Sequence, residues 1–180
     1  MVGLGNPGGQ YVATRHNAGF MALDALSARW ELGRPKERFR GRIAEGRVPD
    51  EARTRVALLW PQTFMNEAGR SVSPARGALR VPLDRVLVIH DEIDLPFGEV
   101  RSRLGGGLAG HNGLRSLKRE LGGAEFWRVR IGVGRPASTD PEVVASYVLS
   151  RFAEPAAEVD EAIERACLET ERVIAEGGSP

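Results

Sequence analysis

The chain has little cysteine, little lysine and no long apolar run. Its one cysteine, Cys167, excludes an internal disulfide and a metal site built from clustered cysteines. No apolar stretch approaches the roughly 20 residues that a membrane-spanning helix needs, so no membrane partner is expected. The N-terminus has no basic segment followed by an apolar core, and no signal peptide is predicted. Together these absences favour a cytoplasmic enzyme.

Positive charge comes almost entirely from arginine, since only Lys36 and Lys118 among the 25 basic residues are lysine. The formal net charge of +1 hides an uneven distribution. Residues 95–135 carry 8 basic and 3 acidic side chains, whereas residues 136–180 carry 3 basic and 10 acidic ones. On charge alone, an ordinary solvated surface is the favoured interpretation of the basic block, and a phosphate-binding surface is the alternative. The chain as a whole is not basic enough for a general nucleic-acid binder.

The length of 180 residues, with 42% apolar and 27% charged residues, fits one globular domain spanning residues 1–180. Short apolar or alternating runs predict strands at residues 1–4, 38–48, 54–60, 85–90, 98–104 and 127–133. Apolar residues at helical spacing predict helices at residues 18–30, 66–79, 111–121 and 154–175. Because strands and helices alternate, we expect an α/β fold, a single-domain three-layer α/β/α sandwich with a mixed, mostly parallel sheet.

A glycine-rich run near the N-terminus, Gly3-Leu-Gly-Asn-Pro-Gly8, matches the dinucleotide-binding pattern G-x-G-x-x-G. That fingerprint also needs an acidic residue at the end of the next strand, where it holds a ribose. Asp24 has about the right spacing but falls inside the predicted helix 18–30 instead. The Pro7-Gly8 pair favours a tight turn after the first strand. A nucleotide site is therefore disfavoured.

Polar side chains collect where the predicted strands end and the predicted helices begin. Asn6 follows the first strand, His16 precedes the first helix, and Asp91 follows the apolar strand 85–90. A carboxylate beside an imidazole fixes its tautomer and stabilises its protonated form, and side-chain amides donate to a developing oxyanion. No serine occupies a G-x-S-x-G elbow and Cys167 lies inside a predicted helix. A hydrolase built on these residues would therefore use water activated by histidine.

Each of these polar residues also has a purely structural interpretation. A lone histidine such as His16 is more often a surface or capping residue, and His111 suits the cap of its helix. His90 and the next residue on its strand point to opposite faces, so His90 is expected to be packed. Asn6 and Asn66 suit a turn and a helix cap. The three histidines lack the paired spacing of a metal site, and no metal is expected.

Six short blocks occur in an order that resembles one known family. They are Val2-Gly-Leu-Gly-Asn-Pro-Gly8, Tyr11-x-x-Thr-Arg-His-Asn-Ala-Gly19, Pro61-x-Thr-Phe-Met-Asn66, His90-Asp-Glu-x-Asp-Leu-Pro96, Gly105-Gly-Gly-x-x-Gly-His-Asn-Gly113 and Arg130-Ile-Gly-Val-Gly134. One block alone is weak evidence, but the ordered set closely resembles bacterial-type peptidyl-tRNA hydrolase. That family cleaves the ester joining a peptide to the 3′ end of tRNA, which recycles tRNA from prematurely released chains.

The resemblance implies catalytic roles for four residues. His16 is implied as the general base on the attacking water, and Asp91 as the carboxylate that orients and polarises it. Asn6 and Asn112 are implied to position substrate or water and to assist the carbonyl oxygen as it becomes anionic. Because an ester is already activated, water, a base and oxyanion donors suffice, and we expect neither a covalent nucleophile nor a cofactor.

The resemblance also implies how the substrate is held. The residues implied to contact the peptidyl part or to line the cleft are Tyr11, Phe64, Met65, Asn66 and His111. Arg103 and Arg130 match positions that hold tRNA phosphates, and Arg101 is expected to assist them. The expected partner is therefore peptidyl-tRNA, contacted at its acceptor stem, CCA end and peptide. No heptad or extended apolar stripe calls for a second subunit, so a monomer is expected.

Two other functions remain open at this point. The first is a non-catalytic RNA-binding relative with the same fold, which would gain support if His16 and Asp91 lay too far apart to hydrogen-bond. The second is a nucleotide-dependent oxidoreductase that uses the glycine run near the N-terminus.

Overall fold

The computed structural model describes residues 1–177 and contains a seven-stranded sheet. In chain order the strands are β1 (Val2–Gly3), β2 (Lys36–Arg38), β3 (Gly41–Arg47), β4 (Arg55–Pro61), β5 (Leu87–Glu92), β6 (Val100–Leu104) and β7 (Trp127–Gly132). They lie in the order β2-β3-β4-β1-β5-β7-β6. β1 pairs in parallel with β4 and β5, and β7 pairs in parallel with β5. Because β3 and β6 run opposite to the rest, the predicted mixed, mostly parallel sheet is confirmed.

Helices cover both faces of the sheet. They are α1 (Ala18–Arg29), α2 (Gly69–Leu79), α3 (Asn112–Leu121), α4 (Pro141–Val148) and α5 (Ala156–Ala175). α1 packs with α5 over one face, and α2 packs with α3 over the other. The predicted three-layer α/β/α arrangement is therefore confirmed.

The central strand β5 shows why its sequence reads as an apolar run. Leu87 and Ile89 belong to the core beneath α1 and α5, whereas Val88 belongs to the core beneath α2 and α3. Successive side chains of a strand point to opposite faces, and here both faces are covered. The strand must therefore be apolar on both sides until it reaches its polar carboxyl end at His90 and Asp91.

Helix α1 lies unusually close to the sheet. A Cβ atom at Gly19 would overlap the carbonyl oxygens of Ile89 and Leu4, so only glycine allows this approach. The close packing brings the first residues of α1, and the turn before them, against the carboxyl ends of β1 and β5.

Four elements differ from the sequence prediction. The strand predicted at 85–90 is β5, which continues through Asp91 to Glu92. The helix predicted at 66–79 begins only at Gly69, because Met65–Glu67 forms a 3-10 turn. Strand β2 adds a short edge to the predicted hairpin of β3 and β4. Helix α4 was not predicted, although Asp140 caps it and Pro141 opens it, both typical helix-start signals. Within residues 1–177, no helix is both long enough and apolar enough to cross a membrane.

Candidate active site

The candidate site lies at the carboxyl ends of β1 and β5, where parallel strands of α/β folds present their functional loops. Asp91 belongs to β5, and Asn6 follows β1. His16 lies in the 3-10 turn Arg15–Asn17 before α1, and His111 immediately precedes α3. Residues that are far apart in the chain therefore meet at one edge of the sheet.

The turn that carries His16 is anchored by its neighbour Arg15. The Arg15 guanidinium donates to Ser150 Oγ at 2.8 Å and forms an ion pair with Glu154 at 3.1 Å. It also lies over the Tyr147 ring, 4.4 Å from the ring centroid. Because Arg15 is buried, these contacts hold the turn that carries His16 against the segment around α4.

Asp91 binds two histidines at once. His16 Nδ1 lies 2.9 Å from Asp91 Oδ1 and 3.1 Å from Oδ2, and His111 Nε2 lies 3.0 Å from Oδ1. An ionised carboxylate only accepts hydrogen bonds, so each of these ring nitrogens donates its proton to Asp91. In the neutral His16 ring the other nitrogen, Nε2, is then left as the acceptor, which is the form that a general base requires.

Charge at the site follows from this pairing. Burial alone would raise the pKa of Asp91, but His16 and His111 hold it well below its usual range. Burial alone would lower the pKa of His16, but the Asp91 carboxylate outweighs burial and raises that pKa above the ordinary value of 6.5. Asp91 is therefore an anion throughout the physiological range, and His16 is a histidine of increased basicity.

His90 is packed beneath the site, as the alternation of the strand predicts. Its side chain is fully buried, and its ring lies 5.0 Å from the His111 ring in an edge-on arrangement. Its Nδ1 donates to the carbonyl oxygen of Asp91 at 2.7 Å. Burial lowers the pKa of His90 to about 3. His90 therefore stays neutral and supports the site without exchanging protons at ordinary pH.

Asn6 lies in a buried network that sequence reasoning only partly foresaw. Its Oδ1 accepts a hydrogen bond from the Met65 backbone N–H at 2.8 Å. Asn17, which was not predicted, accepts from the Asn6 backbone N–H at 2.9 Å and donates to the Asn6 carbonyl at 3.0 Å. Asn17 directly follows His16, so this pair ties the β1 turn to the turn that carries the histidine. The sequence signal for Asn17 was its position directly after His16 in the Thr-Arg-His-Asn-Ala-Gly block.

The remaining predicted cleft residues differ in exposure. Phe64 is 60% exposed, Asn66 and Asn112 are exposed, and Tyr11 is half-buried. Met65 is buried between them, and its sulfur would lie 2.6 Å from a Cβ at Gly113. The 3-10 turn that contains Met65 and Asn66 thus packs against α3, which begins at Asn112. Their roles toward substrate stay predictions.

The three predicted arginines lie on the neighbouring strands β6 and β7. Arg101 pairs with Arg130 across the two strands, and Arg103 pairs with Arg128. Directly paired residues and alternate residues share a face, so these guanidinium groups lie on one side of the sheet. Arg101 is also held by an ion pair with Glu99.

Arg128 is a functional candidate that sequence reasoning missed. It is 1% exposed, and its guanidinium donates to the carbonyl oxygens of Gly105 and Gly107. Burial, then the charges of Arg103 and Arg130, lower its pKa to about 10. Arg128 therefore ties the glycine-rich loop before α3 to the basic strands. The alternation Arg-Val-Arg in β7 was the signal for it.

Two other kinds of site can be compared with the geometry. Within residues 1–177, one group has spacing that would suit a metal ion: His16, Asp91 and His111, whose ligand atoms lie within 4.8 Å of one another. Hydrogen bonds already join these atoms, and the absence of a metal stays a prediction. The glycine run lacks the acidic partner of a nucleotide site, because Asp24 lies within α1 and not at the end of a strand. Gly5 packs against the Phe20 ring, where a Cβ atom would overlap it.

Comparison with known proteins decides the family. The family model described as peptidyl-tRNA hydrolase matches residues 1–179. The chain belongs to the peptidyl-tRNA hydrolase family. The resemblance of its six sequence blocks to that family is thereby confirmed.

Individual relatives agree with this membership. A peptidyl-tRNA hydrolase of Gloeobacter violaceus is 47% identical over 178 residues, which cover 98% of this chain and 87% of the relative. That of Geotalea daltonii is 51% identical over 152 residues, covering 84% and 76%. A solved peptidyl-tRNA hydrolase from Acinetobacter baumannii superimposes with a TM-score of 0.82 at 35% identity, over 97% of this chain and 89% of that one. These peptidyl-tRNA hydrolases share both sequence and fold with the chain.

Proposed function

We propose that the chain hydrolyses the ester between the peptide and the 3′ end of tRNA in peptidyl-tRNA, with His16 as the general base. The observation that carries this proposal is the 2.9 Å hydrogen bond from His16 Nδ1 to Asp91. It leaves His16 Nε2 free to accept a proton from water in the neutral ring. Family membership supports the same substrate.

The chemistry proceeds in two steps. Nε2 of His16 takes a proton from a water molecule as the water oxygen attacks the ester carbonyl carbon. The carbonyl oxygen becomes anionic, and the side-chain amides of Asn6 and Asn112 serve as its hydrogen-bond donors. The bond to the tRNA 3′ oxygen then breaks, and the imidazolium of His16 returns the proton to that leaving oxygen. Asp91 stabilises the imidazolium between the two steps.

The surrounding cleft holds the substrate. The exposed Phe64 and the half-buried Tyr11 supply apolar surface for the terminal nucleotide and the peptide, and the buried Met65 supports Phe64 from the same segment. Asn66 contacts the peptide backbone, which suits an enzyme that must accept any peptide sequence. His111 borders the same cleft beside Asp91.

The basic strands hold the tRNA. Arg103 and Arg130 bind phosphate groups of the acceptor stem, and Arg101 assists them from the edge strand. Arginine suits this role because its planar guanidinium binds phosphate through two hydrogen bonds. Recognition through the backbone depends on salt and hardly on base sequence.

The chain is proposed to act as one domain and as a monomer. Both helical layers share one sheet, and the proposed catalytic residues all come from one copy of the chain. No cofactor has a role in the proposed steps. A cytoplasmic location follows from the substrate, since peptidyl-tRNA arises where translation takes place, and a single cysteine suits a reducing compartment.

The non-catalytic RNA-binding alternative loses its main support. It required His16 and Asp91 to lie too far apart for a hydrogen bond, but they are bonded and buried together. Burying a histidine beside a carboxylate costs free energy of folding, and such pairs are typical of functional sites.

Release of tRNA from N-acetyl-aminoacyl-tRNA tests the proposal. His16→Ala is expected to lower the rate at least about 10²-fold, because it removes the general base. Leu168→Ala, at an exposed position of α5, serves as the control and should leave the rate unchanged. Thermal melting of each variant verifies folding. Equal rates for wild type and a folded His16→Ala protein would contradict the mechanism.

A further inference from the structure

His111 occupies the N-terminus of α3 as well as the catalytic centre. Its Nδ1 accepts the backbone N–H of Gly113 at 3.1 Å and that of Leu114 at 3.4 Å. The imidazole therefore caps the helix, in the place usually taken by the oxygen of serine, threonine, asparagine or aspartate. A backbone N–H always donates, so Nδ1 of His111 must carry a lone pair.

This cap determines where the proton of the His111 ring lies. A neutral imidazole has one N–H, and with Nδ1 occupied as an acceptor that proton belongs on Nε2. Nε2 points at Asp91 Oδ1, 3.0 Å away, and donates to it. The side chain is only 8% exposed, so little water competes for these bonds.

We propose that His111 is a positioning residue, which the N-terminus of α3 holds in the Nε2–H tautomer. In this tautomer His111 donates a hydrogen bond to Asp91, and that bond weakens the stabilisation that Asp91 gives to protonated His16. The inference deepens the proposed function and rests on it for its catalytic consequence. His16 and His111 would then be opposite tautomers, His16 with its proton on Nδ1 and His111 with its proton on Nε2.

The energetic consequence follows from sharing one carboxylate. Both histidines bond to Asp91 Oδ1, at 2.9 and 3.0 Å, so the N–H of His111 offsets part of the negative charge that His16 experiences. Without that N–H, Asp91 would stabilise the His16 imidazolium more strongly, and less of His16 would be neutral at a given pH. The helix cap therefore sets the working pH of the base.

Two titratable groups near the centre are engaged with other partners. His90 faces His111 from β5, but its N–H is committed to the Asp91 carbonyl. Arg128 of β7 acts electrostatically on His90, and its guanidinium donates to the glycine-rich loop. Within residues 1–177, the Asp91 carboxylate accepts hydrogen bonds from His16 and His111.

Two variants distinguish the helix-capping interaction of His111 from its hydrogen bond to Asp91. His111→Asn retains an oxygen that can accept from Gly113 and Leu114, since asparagine is among the best capping residues, but its shorter side chain does not extend to Asp91. His111→Ala loses both interactions. We expect the melting temperature to fall in His111→Ala and to recover in His111→Asn.

The pH dependence of kcat/KM on N-acetyl-aminoacyl-tRNA then reports the proposed role. Both variants are expected to move the acid limb to higher pH, by about 0.5–1 unit, because a donor to Asp91 is lost. A purely structural role predicts that His111→Asn restores the wild-type profile together with the stability. That outcome would overturn the proposal.

Nitrogen-15 spectra of the histidine rings near pH 8 test the tautomers without any reference to activity. The expected result is a protonated Nε2 and an unprotonated Nδ1 in His111, with the reverse in His16. A protonated Nδ1 in His111 would overturn the inference. If His16→Ala proved fully active while the spectra matched, the proposed catalytic mechanism would fail and the tautomer assignment would stand.

Discussion

Buried polar groups converge at the carboxyl ends of β1 and β5, whereas the amino ends of the strands border a mostly apolar space. The first region brings His16, Asp91 and His111 within hydrogen-bond distance. The second is a cavity of about 410 Å³, bordered by side chains such as Val56 and Leu79. The difference lies in the chemistry of the walls.

The comparison shows that a cavity of sufficient volume and a set of catalytic side chains occur at different ends of this fold. The amino-end cavity has the volume to admit a ligand, yet its lining consists mainly of apolar surface. The carboxyl end instead holds buried titratable groups, His16 and Asp91, whose pKa values are shifted from the ordinary ones. Substitutions at the two ends should therefore change different properties of the protein.

The largest expected effect is that of Asp91→Asn. The amide removes the charge that supports the His16 imidazolium and no longer fixes its tautomer, so we expect kcat to fall about 10²–10⁴-fold. Asp94→Asn is the matched control, since Asp94 is an exposed carboxylate three residues away that pairs with Arg135. Single-turnover assays of both variants make the measurement. Similar losses in the two variants would contradict a specific role for Asp91.

Much of this site could be predicted from the sequence, because its residues lie in six ordered blocks at the ends of predicted elements. Asn6 and His16 were placed correctly, after β1 and before α1, whereas Asp91 was predicted to follow its strand and lies within β5. Strand β5 and helix α1 were equally evident, since burial on one or both faces leaves a clear apolar pattern.

The remaining features depend on distances that no local pattern encodes. The double use of His111 becomes visible only once β5 and α3 are placed together, because one nitrogen meets its own helix and the other meets Asp91. The same holds for Arg128, whose partners are loop carbonyls more than twenty residues earlier in the chain. Tertiary packing also shortened the predicted helix 66–79 to α2, where a 3-10 turn presents Met65 to Asn6.

An intermediate effect is expected for Arg103→Ala. Loss of one phosphate contact should weaken tRNA binding about tenfold and reduce the slope of log affinity against log salt concentration by about 1. Arg34→Ala is the control, because Arg34 is exposed and follows α1 at the opposite, amino end. Binding is measured with deacylated tRNA at several salt concentrations. Equal salt slopes for the two variants would remove Arg103 from the phosphate site.

The smallest effect is expected at the amino end itself. Ala75 is buried and borders the cavity, so Ala75→Met should fill part of it and stabilise the fold by about 0.5–2 kcal/mol. Ala78→Met, at an exposed position of the same helix, is the control and should change little. Urea unfolding measures stability, and turnover should stay at the wild-type value in both. A marked fall in turnover for Ala75→Met would show that the amino end takes part in the chemistry.

The pH dependence of kcat/KM tests the central claim most directly, since it reports the protonation of the free enzyme. His16 must be neutral to accept a proton, and Asp91 raises the pKa of His16 above 6.5. Activity should therefore fall with unit slope as the pH drops through a midpoint above 6.5, and level off at higher pH. The residual activity of His16→Ala should lack this limb. A flat wild-type profile, or the same midpoint in the absence of His16, would contradict the account.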